Sequence, residues 1–167
     1  MEICAVAAMG RNHEIGRKGG FPWAPMRADM ARFVALTKTH AVIMGRRTKE
    51  SLRKPLKDRA NIVLARSPVN IELPYIRANS LPEGIDVASK MDVAKTFIIG
   101  GAEVYRESLE AHVQRVYLTV IDADFSEADT FFSDLPEARW RLTQREAFLA
   151  DEKNPYPYAF LEYERRT

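Results

Sequence analysis

The chain is short of the residue types that most often announce a mechanism. Of its 167 residues, one is cysteine and three are histidine. A lone Cys4 cannot close an internal disulfide, and its place in an apolar run makes it a core thiol. His13, His40 and His112 are scattered, and no Cys/His/Asp cluster has ligand spacing, so no metal is expected. Neither GxGxxG nor GxxxxGK[ST] occurs, which removes the two commonest phosphate cradles. GxSxG is missing as well, and with it the usual serine nucleophile motif. No apolar run is long enough to span a bilayer. The first residues, MEICAVAAMGRNHEIG, hold too short an apolar run for a signal peptide and no basic leader. A cytoplasmic enzyme or binding protein with no membrane partner is therefore expected.

One sign of charge is missing locally, although the net charge is only +2. From Asp122 to Glu137 there are Asp122, Asp124, Glu127, Asp129, Asp134 and Glu137, and no base. Between Arg46 and Arg66 the balance inverts, with Arg46, Arg47, Lys49, Arg53, Lys54, Lys57, Arg59 and Arg66 against Glu50 and Asp58. Such a basic segment is either a solvated face or the seat of a small anionic ligand. Nucleic acid calls for a more basic domain and is not an expected partner.

Hydrophobic content of 46% and charged content of 29% are those of an ordinary globular protein. Residues 2–9, EICAVAAM, read as a buried strand, followed by a glycine-punctuated loop. A helix is expected from about 26 to 38. AVIMG at 41–45 and ANIVLAR at 60–66 read as further buried strands, with RRTKESL between them as a short helix. A helix is expected near 82–90, then the strand TFIIGG at 96–101 and the helix AEVYRESLEA. Three β-type stretches follow, at 113–125, 140–150 and 157–166, the last two joined by a turn at Asp151–Pro157. Strands alternating with helices predict one α/β domain over residues 1–167. Its sheet should be mostly parallel, with about eight strands, an antiparallel C-terminal hairpin and about four flanking helices.

Ligands of such sheets bind beyond the carboxyl ends of the strands. There the sequence places MGRRT at 44–48, VLARS at 63–67 and IIGGAEVY at 98–105. Helix starts attract anions, and Arg46, Arg47 and Arg66 could grip a phosphate monoester. Gly100 and Gly101 are either a tight turn or a place where the main chain meets a flat ligand.

Asp29 is the odd residue of the first helix. At 100° per residue it shares an arc with Met26, Met30, Phe33, Val34, Leu36 and Thr37, while Arg27, Ala28, Arg32 and Ala35 fall opposite. It is either a core carboxylate paired with a base, a helix rotated towards water, or an anchor for a flat heterocycle with adjacent N–H donors. In the last case an apolar setting would raise its pKa.

These residues, taken with their order and spacing, resemble the dihydrofolate reductases over nearly the whole chain. The matching pieces are AAMGRNHEIG, FPW, RADMARF, VIMGRRTKESL, PLKDRANIVLAR, IIGGAEVY, VYLTVIDADF, DTFF and YAFLEYERR. The resemblance implies NADPH as cofactor and dihydrofolate as substrate; a monomer is the expectation. It makes Asp29 the catalytic carboxylate that binds the pterin, with Trp23 holding a water near it and Thr119 linked to it. Val6, Ala8, Phe33, Leu56, Ile99 and Tyr105 would wall the substrate pocket. Arg59 would grip the glutamate α-carboxylate, with Lys54 near the same tail. For the cofactor, Ala8, Ile15, Gly16, Gly20 and Phe21 would lie over or against the nicotinamide. Gly45, Arg46, Arg47 and Thr48 would seat phosphate, and Leu64, Ala65 and Arg66 would read the 2′-phosphate. Ile99, Gly100, Gly101, Ala102, Glu103, Val104 and Tyr105 would cradle pyrophosphate and nicotinamide, with a cis Gly-Gly bond.

Some residues depart from the family pattern. Lys49 replaces a usual aromatic, Phe21 a leucine or methionine, and Ala65 a hydroxyl residue, while WAPMR lengthens the approach to the helix. The pyrimidine reductase of riboflavin synthesis, on the same fold, would not need the PW…D pattern. A non-catalytic nucleotide- or RNA-binding descendant would be expected to lose Asp29 or the GG turn.

Overall fold

A computed structural model describes residues 1–68 and 70–167. An eight-stranded sheet runs through the molecule in the order β5-β4-β3-β6-β1-β7-β10-β9. Its strands are β1 (Glu2–Met9), β3 (Ala41–Gly45), β4 (Ala60–Leu64), β5 (Tyr75–Ala78), β6 (Lys95–Ile98), β7 (Arg115–Ile121), β9 (Trp140–Phe148) and β10 (Tyr158–Arg165). All neighbours from β5 to β7 are parallel, and β10 runs antiparallel between β7 and β9. Four helices cover it: α1 (Arg27–Thr37), α2 (Arg46–Ser51), α3 (Leu81–Ser89) and α4 (Ala102–Ala111). A two-stranded ribbon, β2 (Glu14–Gly16) with β8 (Thr130–Phe131), stands apart from the sheet.

The near-continuous apolar runs of the inner strands follow from burial on both faces. On one face Ala5, Ala7, Ile43, Ile62 and Ile98 join Leu81 and Ala88 of α3 and Tyr105 and Leu109 of α4. On the other, Cys4, Val6, Val42, Met44, Val63 and Phe97 meet Phe33 and Leu36 of α1 together with Leu52 and Leu56. Buried this way, the Cys4 thiol is pushed up to about 12 and stays protonated.

The helix near 82–90 begins at Leu81, because Ser80 caps it by accepting from the Glu83 N–H and Pro82 occupies its first turn. Gly84 lets this helix lie close to the sheet. A Cβ there would sit 3.1 Å from Leu64 and 3.5 Å from Ile62. Four elements differ from expectation. The stretch 113–125 is extended only over Arg115–Ile121, and β2, β5 and β8 are strands where none was read.

Phe97 is fully buried at the centre of the second face. Phe97→Ala should cost about 3–5 kcal/mol of unfolding free energy in urea titrations. Leu149→Ala, at a side chain 85% exposed, should stay within about 0.5 kcal/mol of the parent.

Candidate active site

β1 and β6 stop pairing at Ala5↔Ile98, while β1 continues alongside β7 as far as Met9↔Val120. A crevice opens past that point, with Val6 and Ile99 the first residues on its two sides. The Tyr105 hydroxyl of α4 reaches the gap and donates to the Val6 carbonyl at 2.8 Å. Burial, reinforced by the Asp29 charge, raises the Tyr105 pKa and keeps it a neutral donor.

Asp29 sits in the first turn of α1, half-buried, with the Thr119 hydroxyl of β7 near enough to act on its carboxylate. Thr119 is buried and sits in register with Ala8 on one side and Phe160 on the other. Burial raises the Asp29 pKa, opposed by the Thr119 hydroxyl and the charge of Arg32. Met26, before α1, offers no side-chain cap. The long approach WAPMR is instead closed from the β9–β10 turn, where Asn154 Oδ1 accepts from the Ala28 N–H at 2.8 Å.

The inner face of α1 differs from the helical-wheel expectation. Met30 and Val34 are exposed, and Arg32 is turned inward. Its guanidinium donates to the carbonyls of Leu118 at 3.1 Å and Leu161 at 3.3 Å, and its carbon lies 4.4 Å from the Phe160 ring centroid. Arginine stems pack on apolar surface, which a polarity count misses.

Trp23 is buried with Met26, Ile121 and Tyr158, and Ala8 packs against that cluster. Phe21 stacks on Trp23 at 5.3 Å yet remains 60% exposed. Ile15 and Gly16 belong to β2, and Gly20 pairs back to Arg17. The loop is tied to the acidic segment by Lys18 N–H to Asp129 at 2.8 Å and by the Arg17–Glu127 ion pair.

Below Phe33, Arg59 donates from Nε to the Thr37 hydroxyl and from a terminal nitrogen to the Lys57 carbonyl, both at 2.9 Å. Two bonds aim the guanidinium and leave donors free. Leu56 packs beside Phe33, its main chain clamped by the Asn61 side chain. Lys54 is exposed.

On the other side, Gly45, Arg46, Leu64, Ala65, Arg66, Glu103 and Val104 share a cleft of about 310 Å³. Gly45 N–H donates to the Gly100 carbonyl at 2.8 Å, which joins the starts of α2 and α4. The Gly100–Gly101 bond is cis. Gly100 has φ +117°, and a side chain there would meet the Tyr105 ring at 3.3 Å and Thr48 Oγ1 at 3.4 Å. Arg47 is exposed and is not one of the lining residues. Ser67, the end of VLARS, also lines the cleft, as do Asn79, Ser80, Leu81 and Glu107, which were not foreseen. The signal for Asn79 and Ser80 is the Asn-Ser cap that follows β5. Lys49, the departure from an aromatic, places its ammonium 5.0 Å from the Tyr75 ring centroid. Among the described residues no group of three or more His, Cys, Asp or Glu could hold a metal ion. No helix among them is long and apolar enough to cross a membrane.

A sheet crevice with a half-buried carboxylate on one side and a basic cleft at two helix starts on the other defines a reductase-like binding fold. The family model for dihydrofolate reductase matches residues 2–165. The chain is 37% identical to the dihydrofolate reductase of Bacillus subtilis (strain 168), over 98% of this chain and 95% of that one. It is 36% identical to a dihydrofolate reductase type 3 from Salmonella typhimurium, over 99% of each. Dihydrofolate reductase from Enterococcus faecalis, solved with NADP(H) and RAB-propyl, superposes with a TM-score of 0.91 at 29% identity, over 99% of this chain and 97% of that one. The chain belongs to the dihydrofolate reductase family, whose members are oxidoreductases.

The raised Asp29 pKa carries a stability consequence. The folded state holds this proton more tightly than the unfolded chain, so the contribution is full below the ordinary Asp range and is lost as pH rises through the folded pKa. Asp29→Asn should therefore gain stability relative to the parent as pH rises from acid to neutral, and melting curves across that range check it. A gap that widens towards acid would contradict this.

Proposed function

We propose that the chain reduces dihydrofolate to tetrahydrofolate with NADPH as cofactor. The observation that carries this reading is Asp29, a half-buried carboxylate at an apolar crevice beside the Thr119 hydroxyl, with its pKa raised by burial. A carboxylate suits two adjacent N–H donors on a pterin. Asp29 orients that ring between Val6, Phe33 and Ile99, and its negative charge favours the protonated pterin. Thr119 fixes the carboxylate rotamer. The proton reaches pterin N5 from water near Trp23. Arg59, already aimed by Thr37 and Lys57, binds the glutamate α-carboxylate, and Lys54 stands outside it.

The cleft fits the cofactor. Its donors are the guanidinium groups of Arg46 and Arg66 and the free N–H groups at the starts of α2 and α4, and Gly100 leaves the backbone bare beside them. Bound there, NADPH supplies the hydride that pterin C6 receives. Arg66 holds the 2′-phosphate, Arg46 and Thr48 the neighbouring phosphate, and Phe21 with Gly16 and Gly20 covers the nicotinamide. The product serves one-carbon transfer, and the same reading makes the protein a cytoplasmic monomer of a single domain.

Mixing the protein with NADPH and dihydrofolate, and following the nicotinamide absorbance, tests the activity. Oxidation only in the presence of both is expected, and no oxidation would overturn the reading. Asp29→Asn should still bind NADPH but lose a factor on the order of 10² in kcat at neutral pH. The loss should shrink in acid, where solvent protonates more of the substrate unaided. Near-normal turnover at neutral pH would return Asp29 to a packing role.

Arg59→Ala should raise KM for dihydrofolate with kcat little changed, the signature of lost remote binding. A fall in kcat at constant KM would count against the assignment.

A further inference from the structure

Arg66 is exposed and makes no ion pair among the described residues. A free, long side chain on a turn is a poor reader of a phosphate, because binding must first order both the turn and the side chain. In this chain the turn is ordered beforehand. Arg77 of β5, opposite Val63 in the register, donates from one terminal nitrogen to the Ala65 carbonyl at 3.1 Å and to the Ser67 carbonyl at 2.9 Å. Those two carbonyls flank Arg66 on either side. Ala65 N–H adds a bond to the Ala78 carbonyl at 2.9 Å, which extends the β4–β5 ladder by one more link.

Arg77 is half-buried, lies outside the cleft lining, and its Nε is buried without a hydrogen-bond partner among the described residues. What anchors its head is the pair of charge-assisted bonds to the Arg66 turn. We propose that Arg77 is a positioning residue which presets the Arg66 backbone and so sharpens selection of a 2′-phosphorylated cofactor over its unphosphorylated counterpart. This rests on the reading of Arg66 given above. Arg77 touches no cofactor itself, so its effect must pass through Arg66.

Calorimetric titration of the substrate-free protein with NADPH and with NADH reads binding rather than turnover. Arg77→Met should weaken NADPH binding roughly tenfold, about 1.4 kcal/mol, while NADH binding changes little. In an Arg66→Ala background the same substitution should have no further effect on NADPH, since the residue it positions is gone. Arg77→Gln, shorter and uncharged but still polar, should show the same selectivity loss and serves if the methionine variant does not fold. Equal weakening of both cofactors, or an undiminished effect in the Arg66→Ala background, overturns the positioning role. If Arg66→Ala alone separates NADPH from NADH and the Arg77 variants do not, only the positioning role falls. If Arg66→Ala does not separate them, the assignment of Arg66 falls and this proposal falls with it.

Discussion

The meeting of Thr119 and Asp29 is the constraint around which the crevice is organised. It links a strand of the sheet to the first turn of a covering helix, and it holds only if both stand in the right register. Thr119 is fixed between Ala8 and Phe160 by the β1–β7 and β7–β10 ladders. α1 is laid over that seam by Phe33 and Leu36, which pack on the Val6 and Val42 face. Its start is closed by Asn154, from a turn more than a hundred residues downstream in the chain. A carboxylate in the first turn also feels the favourable end of the helix dipole, which partly offsets its desolvation.

Much of this was legible in the sequence for a physical reason. Central parallel strands must be apolar on both faces, so EICAVAAM and AVIMG could hardly read as anything else. Asp29 stood out because a charge on a core-facing arc needs an explanation. β5 was not legible. YIRA carries one arginine among four residues, and its strand character comes from pairing with β4 rather than from any pattern of its own. With β5 unread, Asn79 and Ser80 had no place in the cleft. Yet β5 steadies both arms of that cleft. Tyr75 lies against Lys49 of α2, and Arg77 holds the turn after β4.

Arg32 marks the limit of a helical wheel. By polarity it belongs on the outer side, and by reach it belongs inside, where main-chain carbonyls and an aromatic face accept it. Met30 and Val34 are its mirror image, apolar residues left open beside the crevice. A wheel assigns faces from side-chain polarity. The fold assigned them here from what each atom could pair with, and the terminal nitrogens of Arg32 found two carbonyls that the strand ladders leave with a free lone pair.

The same accounting separates the two inward-facing carboxylates. Glu14 is only 2% exposed, more buried than Asp29, and sequence patterning gave it no prominence. Burial raises its pKa, but donors outweigh that and leave it lowered. The Asn12 N–H donates at 2.9 Å, the Asn12 amide at 3.2 Å and the Phe125 N–H at 3.2 Å. Its acceptor capacity goes into tying the residue 10–14 loop to the segment after β7, a structural task. Asp29 has only the neighbouring Thr119 hydroxyl and the charge of Arg32 set against its burial and keeps a raised pKa, so the protein compensates that burial only in part. An inward carboxylate with its partners in place is architecture. One held in a rigid wall with lone pairs unspent has its interaction energy reserved for whatever enters the crevice, and that difference, rather than depth of burial, singles out Asp29.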